Sequence, residues 1–167
     1  MKQSILFLIL SLGLTFSSCD NASCGDILCG DNASCVQGTC TCLQGYEKNN
    51  NDLCVSTLIR ARSNFTGTWA VSENCSSAIY SFISTIVKHP TEDDQLILSN
   101  FYDSYNSVYA VMTSETTFEI PLQLHNSNRV TITGEGMYEN PGSVIINYNI
   151  ELVDGTSSDY CTAFYTK

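Results

Sequence analysis

Cysteine is the residue type with the most chemistry in this chain, and its nine copies fall into groups of one, six and two. Cys19 ends a hydrophobic leader. Cys24, Cys29, Cys35, Cys40, Cys42 and Cys54 crowd together, and Cys75 and Cys161 stand near the two ends of a strand-rich segment. Closely spaced thiolates can hold zinc, but zinc sites pair C-x2-4-C knuckles and commonly add histidine. No histidine occurs between Cys24 and Cys54, so disulfides are the expected chemistry there. His89 and His125 are the only histidines, both beside turn residues, and neither neighbours a nucleophile motif. Glu92-Asp93-Asp94 sits in a turn, where such a run is normally solvated, and Glu135 and Glu139 have no spacing that selects an acid–base pair. There is no glycine-rich phosphate loop. The expectation is a protein without catalytic residues, metal or cofactor.

The elements that carry the lone cysteine come first. Met1-Lys2-Gln3 is a short positive start, and Ile5 to Phe16 is an apolar run interrupted by Ser11, Gly13 and Thr15. That run has the proportions of a signal-peptide core and is too short to span a bilayer, which takes about 20 residues. Phe16-Ser17-Ser18-Cys19 resembles the lipobox of bacterial lipoproteins. The resemblance implies a signal peptide over 1–18, acylation of Cys19 and a tether over 19–23. The chain would then be exported and lipid-anchored to a bacterial membrane, at the outer membrane or cell surface. The other reading is a secreted protein cut after Ser17, which Asn-x-Ser/Thr triplets at Asn21, Asn32, Asn64 and Asn74 would suit. With a net charge of −10 and scattered basic residues, the chain is a poor partner for nucleic acid or anionic head groups. Membrane attachment would rest on the acyl chains of Cys19.

The six cysteines are spaced C-x4-C-x5-C-x4-C-x-C-x11-C, and Cys40-Thr41-Cys42-Leu43-Gln44-Gly45-Tyr46 precedes Cys54. This pattern resembles an EGF-like domain over 24–54. A unit this small buries too little apolar surface to fold alone, so covalent staples replace a core. The resemblance implies the pairs Cys24–Cys35, Cys29–Cys40 and Cys42–Cys54. Calcium-binding members place acidic and amide residues before the first cysteine and an Asp or Asn between the third and fourth. Asp20-Asn21-Ala22-Ser23 matches only in part, and Val36-Gln37-Gly38-Thr39 does not, so no calcium is expected. The role implied is a spacer, followed by a linker over 55–63.

From Asn64 to Lys167 the pattern turns to short alternating segments. The clearest is Val144, Ile146, Tyr148, Ile150 and Leu152, with Asn147, Asn149 and Glu151 on the opposite face. Further strands are expected over 65–75, 79–88, 95–101, 107–113, 117–124, 129–138 and 159–166, with turn residues between them. No segment carries a helical stripe. Eight strands in this length fit an antiparallel sheet, closed as a barrel or, alternatively, folded as a β-sandwich. Cys75 ends the first strand and Cys161 begins the last. They come opposite each other if those strands pair, which closes a barrel and removes its edges. A Cys75–Cys161 disulfide is therefore expected, and with it a mainly β fold. Phe65-Thr66-Gly67-Thr68-Trp69 resembles the first strand of lipocalins and related barrels, in which the tryptophan plugs one end and a late basic residue packs across it. No arginine follows Arg129 to take that part.

Recognition is the function left. Trp69, Val71, Ile146, Tyr148 and Ile150 are the candidate lining of an apolar barrel cavity, or else simply its packed core. Phe101-Tyr102-Asp103-Ser104-Tyr105-Asn106-Ser107 reads as an adaptable contact loop or as a rim cover. Two functions follow. One is a membrane-anchored surface interaction or adhesion module with a protein partner; the other is a carrier or sensor for a small apolar ligand.

Overall fold

The structure is a computed structural model that describes residues 24–167. The leader, Cys19 and the tether over 19–23 lie outside the described residues. Two hairpins open the fold. β1 (Ala33–Val36) pairs with β2 (Thr39–Cys42), and β3 (Tyr46–Lys48) pairs with β4 (Cys54–Ser56). The β1–β2 turn needs two left-handed residues, Gln37 and Gly38, at φ of 50° and 80°. Disulfides join Cys24 to Cys35, Cys29 to Cys40 and Cys42 to Cys54. They hold strands of three or four residues that could not stand alone.

The stretch expected as a linker is structured instead. β4 runs to Ser56, and α1 (Thr57–Phe65) follows at once. Ser56 caps the helix, its side chain accepting a hydrogen bond from Leu58 N. Leu58, Ala61, Arg62 and Phe65 share one face at helical spacing, and the last three are buried. Arg62 hides this stripe from a hydrophobicity reading. Its buried guanidinium donates to the carbonyls of Glu92 (2.9 Å) and Gln95 (3.1 Å) and lies 3.6 Å from Asp93. At the other side of the helix, Arg60 pairs with Glu47 at 2.6 Å. One short helix thus ties the disulfide module to the barrel.

The barrel comprises β5 (Gly67–Cys75), β6 (Ile79–Lys88), β7 (Gln95–Ser99), β8 (Val108–Met112), β9 (Thr117–His125), β10 (Val130–Asn140), β11 (Ser143–Leu152) and β12 (Ser158–Thr166). All neighbours are antiparallel, in the closed order β10-β11-β12-β5-β6-β7-β8-β9. The fold is a barrel and not the sandwich alternative. β12 closes on β5 with Cys161 directly opposite Cys75, and the two are disulfide-bonded. Alternation decides what faces inward. β5 directs Trp69, Val71, Glu73 and Cys75 to the interior, and β11 directs Val144, Ile146, Tyr148 and Ile150.

Two glycines on the inner face of β10 make room for this packing. An added Cβ at Gly136 would lie 2.0 Å from Phe118 Cζ, and one at Gly134 would lie 2.6 Å from Tyr148 Cβ. Among the described residues no helix is long and apolar enough to cross a membrane.

Candidate functional site

The five residues expected to line a cavity all enter the barrel, where they are packed. Trp69 is fully buried beside α1; its Nε1 donates to Phe65 O at 2.9 Å, and its ring meets Tyr165 edge-on at 6.5 Å. Lys167 Nζ stands 4.1 Å above the Trp69 ring and donates to Thr66 O. A lysine therefore supplies the basic group that the sequence offered no arginine for. Val71 and Ile146 fill the middle of the barrel, among Ile86, Leu96, Leu98 and Ile120. Tyr148 and Ile150 belong to the opposite end.

That end is closed by the tyrosine-rich loop between β7 and β8, which behaves as a rim cover. Phe101 is fully buried with its ring 4.4 Å from Tyr148, Tyr102 meets Tyr148 edge-on, and Tyr105 packs on His125. Asn100, Tyr102, Asp103 and Ser107 all have left-handed backbones, with φ between 47° and 70°. Such a conformation is costly for a residue as bulky as tyrosine. Asn100 Nδ2 anchors the loop through Ile83 O at 2.7 Å.

Two carboxylates sit beneath the cover. Glu73 is 2% exposed and accepts a hydrogen bond from the Tyr148 hydroxyl. Burial raises its carboxyl above the ordinary value, against the lowering effect of that bond. Burial first, and then the same bond, push the Tyr148 phenol far up. Asp159 accepts from Ser76 Oγ (2.6 Å), Ser77 Oγ (2.5 Å), Ser77 N (3.0 Å) and Tyr102 OH (2.8 Å). Burial pushes Asp159 up, but these bonds together outweigh it and the net direction is down. Glu73 was legible as an inward position, since it falls in step with Trp69, Val71 and Cys75. Glu73, Cys75 and Cys161 bring potential ligand atoms within 4.8 Å of one another. Both sulfurs are spent in the disulfide, so the trio is no metal site. His125, expected in an exposed loop, is half-buried beside Gln123 and Tyr105, and burial lowers its pKa.

A groove of about 880 Å³ lies on the outside of the wall formed by β9, β10, β11, β12 and β5. Register builds its floor. Glu119 pairs with Glu135, Glu135 with Asn147, Asn147 with Thr162 and Thr162 with Asn74. One unbroken row of polar side chains thus crosses five strands, about 19 Å at about 4.8 Å per step. Along one side runs the row Thr133, Asn149 and Tyr160; along the other run Thr117, Met137 and Ile145. Thr162 Oγ1 donates to Asn147 Oδ1 at 2.8 Å. Tyr160 is 66% exposed. Among the described residues, no lysine, arginine or histidine lines this groove. In the sequence alone, the Asn147–Asn149 face reads only as the outward side of a strand. The signal lay in amides and hydroxyls at alternate positions on several strands, and it becomes a site only once their register is known.

The fold and this surface define the chain as a closed eight-stranded antiparallel barrel with a disulfide-rich N-terminal extension. No protein-family model matches the chain, and no curated protein does. Similar solved structures include EF1p2_mFAP2b bound to DFHBI, at 12% identity and a TM-score of 0.47, covering 66% of this chain and 98% of that one. A redesigned β-barrel, b11L5F_LGL, is 15% identical with a TM-score of 0.43, covering 65% of this chain and 95% of that one. The redesigned β-barrel mFAP1, bound to DFHBI, is 15% identical with a TM-score of 0.41, covering 65% and 99%.

Proposed function

We propose that the chain is a non-catalytic recognition module whose contact surface is the groove on the outer wall of the barrel. The observation that carries this reading is the polar row from Glu119 to Asn74, flanked by the exposed ring of Tyr160. The packed interior supports it, because a filled barrel leaves recognition to its outside. In this reading the disulfide module is an EGF-like spacer, and acylated Cys19 tethers it to a bacterial membrane, at the outer membrane or cell surface.

The test places a photo-crosslinking side chain at Asn147 and, as a control, at outward-facing Thr85 on β6. Each protein is exposed to the cell-surface and extracellular material of its own source. Adducts formed from position 147 and not from 85 are expected. Equal labelling from both would sink the groove as the contact surface.

A second reading, a carrier for a small apolar ligand, rests on one observation of its own. Glu73 and Tyr148 form a buried polar pair beneath a cover loop with left-handed tyrosine backbone, and such a pair could orient a ligand once the cover moves. Native mass spectrometry of the protein from its source would show a retained ligand in that case, and none if the groove alone is used.

A further inference from the structure

We infer that the occupant of this groove is a neutral oligosaccharide, an inference that rests on the groove being the contact surface. Beside the carboxylates of Glu119 and Glu135, the side chains offered are amides (Asn74, Asn147, Asn149), hydroxyls (Thr133, Thr162 among them) and one exposed phenol ring. Amides and hydroxyls donate and accept in one compact group, which suits a ligand whose own groups are hydroxyls with both capacities. The face of Tyr160 offers an apolar platform with a polar tip, matching the C–H face of a sugar ring between its hydroxyls. Met137 and Ile145 supply apolar contact along the other margin.

Charge narrows the choice. Glu119 and Glu135 face each other across adjacent strands, a repulsive pairing, and no basic side chain accompanies them. Uronate, sulfated or phosphorylated chains, and nucleic acids, would all meet like charge there.

An extended peptide is the other linear ligand of this length, and the barrel argues against it. Peptides that bind sheets obtain affinity by adding a strand to a free edge, with main-chain hydrogen bonds. Every position of the polar row is paired on both sides, from Glu119, opposite Val111 and Glu135, to Asn74, opposite Thr162 and Ile79, so no free edge meets this groove. A peptide would have to satisfy its amides through scattered side chains, whereas a glycan carries only groups that side chains can reach. A row of about 19 Å fits a tri- or tetrasaccharide.

The test screens the full chain on an array of neutral, uronate-containing and sulfated oligosaccharides, with calorimetry on the neutral compounds that score. Tyr160→Ala and Asn147→Ala remove exposed groups, and the fluorescence of buried Trp69 verifies that both variants remain folded. The expected result is binding of neutral oligosaccharides only, weakened at least tenfold by either substitution. Preference for charged glycans would overturn the inference. So would neutral binding that both variants retain, since the ligand would then sit elsewhere. Failure to bind any glycan, combined with protein adducts from position 147, would overturn the inference while leaving the groove as the contact surface.

Discussion

Replacing both members of the closing disulfide, Cys75→Ala with Cys161→Ala, tests how the barrel is held shut. The two cysteines are 86 residues apart in sequence, so the bridge removes a large loop's freedom from the unfolded chain. The chain-entropy relation gives about 15 cal/mol/K for that loop, or about 4.6 kcal/mol at 25 °C. Native closure does not depend on the bridge alone, because the β12–β5 ladder runs on from Cys161–Cys75 to Thr166–Ala70. The variant should therefore fold to the same barrel and lose about 3–5 kcal/mol, a large share of the roughly 5–15 kcal/mol typical of a domain. Trp69 is the sole tryptophan and is fully buried, so urea unfolding followed by its fluorescence reports on the barrel itself. The denaturant slope should also rise, because the unfolded chain, freed of the bridge, exposes more surface. A loss below about 1 kcal/mol with an unchanged slope would refute the argument that the bridge acts through the unfolded state. Loss of the native Trp69 spectrum in the absence of urea would refute the claim that the backbone ladder suffices.

Three further perturbations follow from the interior. Gly136→Ala drives a methyl into the Phe118 ring and should cost about 1–3 kcal/mol in urea unfolding, while a midpoint unchanged from the wild type would show that the ring yields freely. Glu73 has a raised carboxyl pKa in the fold, so it favours the native state most below the unfolded value of about 4.5, and that advantage is lost as pH rises through the folded value. Glu73→Gln keeps an acceptor for Tyr148 and should stabilise the protein at neutral pH, flattening the decline in unfolding free energy above pH 4.5; an unaltered pH profile would contradict this. Lys167→Met removes the cation above Trp69 and the donor to Thr66 O, and should cost about 0.5–1 kcal/mol with an altered Trp69 emission, whereas identical emission would show that the ammonium does not perturb the ring.

The barrel was legible because alternation is a local property. Val144 to Leu152 states its inward face residue by residue, and the positions of Cys75 and Cys161 identify which strands meet. Alternation also placed Trp69, Val71, Ile146, Tyr148 and Ile150 inside, but it cannot say whether the space they enclose is full. That depends on Phe118, admitted by Gly136, and on Phe101, carried in by a loop from elsewhere in the chain. The helix over 57–65 was hidden because Arg62 occupies a position on its buried face, and its charge is met by the carbonyls of Glu92 and Gln95, some thirty residues away. The role of Lys167 is hidden in the sequence for a similar reason, since only the closing of β12 against β5 brings it over Trp69.

By itself the sequence determined the strands, the inward face of each, the cysteine partition and the acidic balance, because each is a matter of residue type at short spacing. The tertiary structure alone decided that the interior is filled, that a tyrosine loop closes one end, and that Glu119, Glu135, Asn147, Thr162 and Asn74 form a single row. Those features depend on register between strands up to 88 residues apart, which hydrogen-bond pairing and barrel closure set.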